Sequence, residues 1–127
     1  MHALVHLYEM AIITKPASKA RKFSIPAFCE RYRLARIDIT RMTQYSPRAV
    51  AKWVAGDKPS PAAERQLKEL VRLFDALSEI METGYVGEWL KTANPAFENS
   101  TPLQIIERGE TDRIWHMIYR VKTGEPI

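Results

Sequence analysis

Hydroxyl residues stand just ahead of a proline and an amphipathic run at Ser24 before Ile25 and Pro26, at Ser46 before Pro47, and at Thr101 before Pro102. A Ser or Thr hydroxyl satisfies free amides of a first helical turn, and proline in that turn gives up a hydrogen bond the helix never makes. Such punctuation divides the chain into short helices. It predicts a first helix over 26–34, with Phe28 and Tyr32 on one face. A second helix is expected to run from near Asp38, acting as its cap, to about Gln44, with Ile39 and Met42 inward and Tyr45 at the turn. Ser46 then opens a third, in which Val50, Trp53 and Val54 share a face before Gly56 closes it in the left-handed conformation.

Residues 57–61 hold two prolines and read as a loop. The recurrence of Leu67, Leu70, Val71, Phe74, Leu77 and Met81 at spacings of three and four predicts a long helix, with Gly84 as its terminator. Val86, Trp89, Leu90 and Ala93 make a short amphipathic helix stopped by Asn94 and Pro95, because a residue before proline avoids the helical region. Thr101 opens the next, which turns Leu103 and Ile106 inward and ends at Gly109. A last helix from Glu110 or Thr111 to about Lys122 is closed by Gly124, and no β-strand is expected. The fold class is therefore all-α, a helical bundle followed by a small helical unit that shares a long connecting helix with it.

Charge is divided as sharply as structure. Residues 11–72 carry 14 Lys and Arg against 5 Asp and Glu, whereas 73–127 carry 5 against 9, within a net charge of +4. A basic unit beside an acidic one is the pattern of a nucleic-acid reader joined to a protein-contact unit. Residues 15–22 are polar and basic without apolar period, so 1–23 reads as a flexible arm able to track phosphates. No apolar run approaches the ~18 residues that span a bilayer, Met1 to Thr14 show no signal-peptide pattern, and Cys29 is the single cysteine; a cytoplasmic protein without disulfides or membrane contact is expected.

No convergent set of ionisable residues points to catalysis, so no enzyme, cofactor or metal is expected. His2 and His6 lie in the arm, His116 has no acid, cysteine or second histidine at a known catalytic spacing, and Cys29 beside an apolar face reads as a small buried hydrophobe.

The third helix is the candidate DNA reader. With Val50, Trp53 and Val54 inward, Pro47, Arg48, Ala51 and Lys52 face outward, and Arg48 and Lys52 stand one turn apart. Arg48 suits bidentate bonding to guanine, Lys52 a base or phosphate, and Ala51 a close approach to a thymine methyl group. Thr43, Gln44, Ser46 and Lys58 would bind phosphates at the groove edge. The same spacing also describes an ordinary solvated face.

The last helix carries two apolar faces, Ile114, Met117, Ile118 and Val121 on one, Trp115, Tyr119 and Lys122 on the other. The second face is a candidate partner surface, with Arg113, His116 and Arg120 nearby, since Trp, Tyr and Arg dominate binding hot spots. Packing of Trp115 and Tyr119 on the long helix is the alternative.

Residues 40–61, with Val50, Trp53 and Gly56 in their order, resemble the second and third helices of Xre-type, repressor-like helix-turn-helix proteins. Thr40 departs from that pattern, where alanine is common, as does Pro47 at a base-facing position. From Glu88, Trp89 and Leu90 through Asn94, Pro95, Ala96 and Phe97, then Thr101, Pro102, Leu103, Ile106, Gly109 and the final helix, the chain resembles the toxin-binding domain of Xre/MbcA/ParS antitoxins. Glu98, Asn99 and Ser100 stand where that family often has a glycine-containing turn. The resemblance implies a helix-turn-helix domain over 24–83 and a toxin-binding domain over 84–127. It further implies a type II antitoxin that occludes the active site of a RES-domain, NAD-consuming toxin. Gly124 and Glu125 are then expected to lie with residues 122–127 toward that site. Autorepression of its operon, with a homodimer spanning two operator half-sites, is implied as well. A stand-alone helix-turn-helix regulator with another protein partner is the competing reading.

Overall fold

Hydroxyl caps set four of the seven α-helix starts in the computed structural model, which describes residues 23–125. The α-helices are α1 Ile25–Tyr32, α2 Arg36–Thr43, α3 Pro47–Val54, α4 Pro61–Leu77, α5 Val86–Leu90, α6 Pro102–Glu107 and α7 Thr111–Thr123. Short 3-10 turns occupy Thr83–Tyr85 and Pro95–Phe97. Ser24 Oγ accepts from the Ala27 amide at 3.3 Å, Ser46 Oγ from Ala49 at 3.0 Å and Thr101 Oγ1 from Gln104 at 3.1 Å. Ser60, within the stretch read as loop, caps α4 in the same way through the Ala63 amide. The arm expected over 1–23 lies, Phe23 excepted, outside the described residues, as do His2 and His6.

Several elements differ from the sequence reading. Asp38 is not the cap of α2: the helix starts two residues earlier, and the Asp38 carboxylate reaches back from the first turn to accept from the Ala35 amide at 2.7 Å. α4 ends at Leu77 instead of running to Gly84: the amides of Glu79 and Ile80 turn to the carbonyls three residues back, Ala76 and Leu77, and the Ser78 hydroxyl donates to the Phe74 carbonyl. Leu73, absent from the expected stripe, is buried on α4, while Val71 is only half-buried. Ala93 is exposed beyond the end of α5. Val121, expected inward, is exposed because the whole final turn of α7 runs past the core. Among the described residues there is no strand, only an isolated antiparallel bridge between Asn94 and Ser100.

One apolar core runs through both halves. Phe28, Tyr32 and Phe74 meet with ring centroids 4.9–5.0 Å apart, and the cluster continues through Leu77, Val86 and Leu90 to Leu103, Ile105, Ile114 and Ile118. α6 packs on α2, and α7 on α4 and α6. At the junction, α5 presses on the end of α1 so closely that a Cβ at Gly87 would stand 2.4 Å from the Tyr32 carbonyl oxygen and 2.6 Å from that of Arg33. Only glycine fits there. Two ion pairs cross the same boundary, Lys91 with Asp38 at 2.9 Å and Arg41 with Glu107 at 2.7 Å.

Candidate nucleic-acid and partner interfaces

α3 is seated by its apolar side. Val50 is fully buried, Trp53 and Val54 are half-buried against the core, and the Trp53 ring meets Tyr45 edge-on at 5.1 Å. This anchoring leaves Ser46, Pro47, Arg48 and Lys52 exposed and Ala51 half-buried between them, with Lys58 exposed in the loop that follows. Arg48, Lys52 and Lys58 form no salt bridge among the described residues, although Arg41, Lys68 and Arg72 nearby in the chain all do. The arrangement is chemically suited to a polyanion, because no internal ion pair must break for these cations to meet phosphate.

The groove-edge residues divide. Gln44 ends α2 with φ of 66°, is exposed, and donates through Nε2 to the Arg41 carbonyl. Thr43, expected beside it, is buried: its hydroxyl donates to the Ile39 carbonyl at 2.8 Å and accepts from the Tyr45 amide, while its own carbonyl accepts from Gln66 Nε2 at 3.0 Å. All its polar atoms are spent on shaping the turn between α2 and α3, so it supports the reading face from within and does not belong to it.

On α7 the two large aromatics have different fates. Trp115 is half-buried at the seam with α4, its ring centroid 5.3 Å from the Arg72 guanidinium carbon. Tyr119, one turn on, is 58% exposed. The neighbouring cations are mostly engaged. Arg113 donates to both carboxylate oxygens of Glu98 at 2.9 and 3.0 Å and to Glu110 at 3.2 Å, and these bonds, Glu98 first, raise its pKa further above its ordinary value. Lys122 is paired with Glu79 of the turn after α4. His116 and Arg120, with Phe97, Asp112 and Met117, line a shallow cleft of about 520 Å³ between α7 and the Pro95–Phe97 turn. Gly124 takes φ of 77° to end the helix, and Glu125 lies exposed with its amide donating to the Arg120 carbonyl. Residues 126–127, and with them the terminal carboxylate, lie outside the described residues.

The sequence reading missed Phe97, Asp112 and Met117 as cleft residues, and missed the pairs of Arg41 with Glu107 and Lys91 with Asp38. Partners 66 and 53 residues apart leave no trace in a period of three or four. Among the described residues no group of three or more potential metal ligands converges, and no helix is long and apolar enough to cross a membrane. Cys29 is half-buried, and burial, followed by the Asp38 carboxylate, pushes its thiol pKa up, away from nucleophilic use.

No family model matches the chain. It is 29% identical over 96 residues to the mycobacterial cidal antitoxin MbcA of Mycobacterium tuberculosis, and equally to that of Mycobacterium bovis, an overlap of 75% of this chain and 85% of the relative. Its structure matches a chain of the crystal structure of the M. tuberculosis MbcT-MbcA toxin-antitoxin complex with a TM-score of 0.65 and 27% identity, covering 80% of this chain and 93% of that one.

Proposed function

We propose that this chain is the antitoxin of a toxin-antitoxin pair, with the α7 side of its second half covering the toxin and α3 reading operator DNA. The chain is not an enzyme; it acts by binding one. Likeness to the MbcA antitoxin carries the reading, since an overlap of 96 residues out of 127 necessarily runs through both halves. The toxin is of the RES-domain, NAD-consuming class that the sequence resemblance implies. Tyr119 is the exposed aromatic anchor, the cleft beside His116 and Arg120 receives a side chain of the toxin, and Lys122, Gly124 and Glu125 carry the end of the chain toward its active site. Support for autorepression comes from the outward Arg48 and Lys52, which form no ion pair among the described residues. A homodimer in the cytoplasm would place two such faces one turn of DNA apart, about 34–36 Å.

Co-expression with the adjacent reading frame tests the proposal. The neighbour alone should arrest growth and deplete NAD, and this chain should restore both; arrest that persists in its presence refutes the antitoxin role. Removal of residues 122–127 should weaken the rescue, and full rescue without them would remove the tail from the mechanism. The open Arg48 and Lys52 face would equally serve a stand-alone regulator. Upstream DNA bound by the chain, with no neutralisation of any neighbour, selects that second reading.

A further inference from the structure

α2 is the helix on which α3 is seated, and the second half holds it near both ends. Toward its start, the buried Asp38 carboxylate accepts from the Ala35 amide at 2.7 Å and from Lys91 Nζ at 2.9 Å, and Lys91 is the residue that ends α5. Toward its end, Arg41 Nε and Nη2 donate to the two oxygens of Glu107, the last residue of α6, at 2.7 and 2.8 Å. A paired fork of this kind fixes direction as well as distance. The hydrogen bond between Arg41 and Glu107 also raises the Arg41 pKa and lowers that of Glu107, as expected for a pair that is charged on both sides.

We propose that Lys91 and Glu107 are positioning residues for the DNA-reading face: by gripping α2 at two points they fix the angle at which α3 presents Arg48 and Lys52. The inference rests on the DNA-binding reading above. A side chain reads a base edge only from a narrow range of helix poses, so a rocking α2 would leave only a fraction of molecules competent. The apparent affinity falls by that fraction. Both residues are committed to partners on α2, Lys91 to the buried Asp38 and Glu107 to Arg41, so each acts through another group.

The sign of the Glu107 effect separates positioning from simple electrostatics. Glu107→Gln removes a negative charge, which by the field alone would tighten binding to DNA. Positioning requires that it loosen. Fluorescence anisotropy of the full chain on the duplex immediately upstream of its own coding sequence, over a salt series, reads this directly. Glu107→Gln should weaken binding about twofold, and Lys91→Met, which strips the buried Asp38 carboxylate of its cation, about three- to tenfold, each in proportion to the competent fraction lost. The salt dependence should stay as in the wild type, whereas loss of a phosphate contact would lower the slope by about 0.9. Lys91→Arg should restore affinity.

Amide exchange supplies a readout that needs no DNA. The amides of Gln44 and residues 50–54 should exchange faster in both variants, with those of 70–74 unchanged. Binding by Glu107→Gln that equals or exceeds the wild type overturns the proposal, as do unchanged exchange rates in α2 and α3. A wild-type chain that ignores the duplex defeats the DNA reading and the role that rests on it, and the exchange rates then still report whether the two residues hold α2.

Discussion

The α3 face and the second half differ in how their cations are held. On α3 and the loop after it, Arg48, Lys52 and Lys58 point outward without a carboxylate partner among the described residues. In the second half Lys91, Arg113 and Lys122 are each in an ion pair, Arg113 with two acids at once. An unpaired surface cation meets a polyanion without first giving up an internal bond, so the α3 face would suit electrostatic binding. A paired cation must release its acid before it can serve a partner. Arg120, at the cleft, forms no ion pair among the described residues, but with Arg113 and Lys122 engaged, shape and apolar contact at Tyr119 and the cleft would carry most of any recognition there. The two surfaces differ, yet they are carried on one core.

That last point can be broken most severely at Gly87. A methyl group there collides with the Tyr32 and Arg33 carbonyls, which are backbone atoms and cannot rotate away. Gly87→Ala should cost about 3 kcal/mol, the upper end of an overpacking effect. If the halves share a core, urea unfolding followed by circular dichroism and by tryptophan fluorescence should shift together. Separate transitions, with only the second half destabilised, would mean two independent domains.

The charge contrast is sharpened by Arg48→Ala with Lys52→Ala. The pair should weaken binding to the upstream duplex about a hundredfold and flatten its salt dependence, while binding of the toxin is unchanged. Unaltered DNA affinity would return α3 to a plain solvated face. Tyr119→Ala is the counterpart on the other half: about tenfold weaker toxin binding, as for an exposed hot-spot aromatic, with stability shifted by no more than about 0.5 kcal/mol. Trp115→Ala should do the reverse and lower stability first, because its ring is half-buried beneath Arg72. Calorimetry on the purified complex and thermal melts of the free chain distinguish the two outcomes.

Local rules wrote most of the helix starts into the sequence. Ser24, Ser46 and Thr101 each cap the helix expected of them, and Val50, Leu103 and Ile114 are buried on the faces their spacing assigned. Where a residue's role depends on a distant part of the chain, the same rules fall silent. Asp38 reads as a cap, and its local bond to the Ala35 amide is of that kind, but its ion pair with Lys91 depends on the arrival of α5. Thr43 reads as a polar groove-edge residue, yet its hydroxyl and carbonyl are consumed by Ile39, Tyr45 and Gln66 once α4 packs on α2. The face of Trp115 and Tyr119 was legible as a second apolar face. Its division into a seam residue and an outward one was not, because Arg72 of α4 covers only the first.

The smallest effect tests the tie between the halves through pH. The hydrogen bond from Arg41, with Arg41 and Arg108 charges assisting, holds the Glu107 carboxyl below its ordinary pKa against an opposing contribution from partial burial. A carboxyl whose folded pKa is depressed contributes stability above its unfolded pKa, near 4.3 for glutamate, and loses it as pH falls through the folded value. Arg41 stays charged throughout, its pKa raised by the same bond. Because both side chains are partly exposed, solvent screening limits the pair to about 0.5 kcal/mol. The wild type should therefore exceed Glu107→Gln by roughly that amount near pH 6, and the gap should close toward pH 3, where a protonated Glu107 resembles glutamine. Other carboxyls titrate in the same window, but they do so in both proteins, and the difference between urea midpoints isolates Glu107. A gap that persists unchanged to pH 3 would mean that packing of the side chain, not its charge, joins α6 to α2.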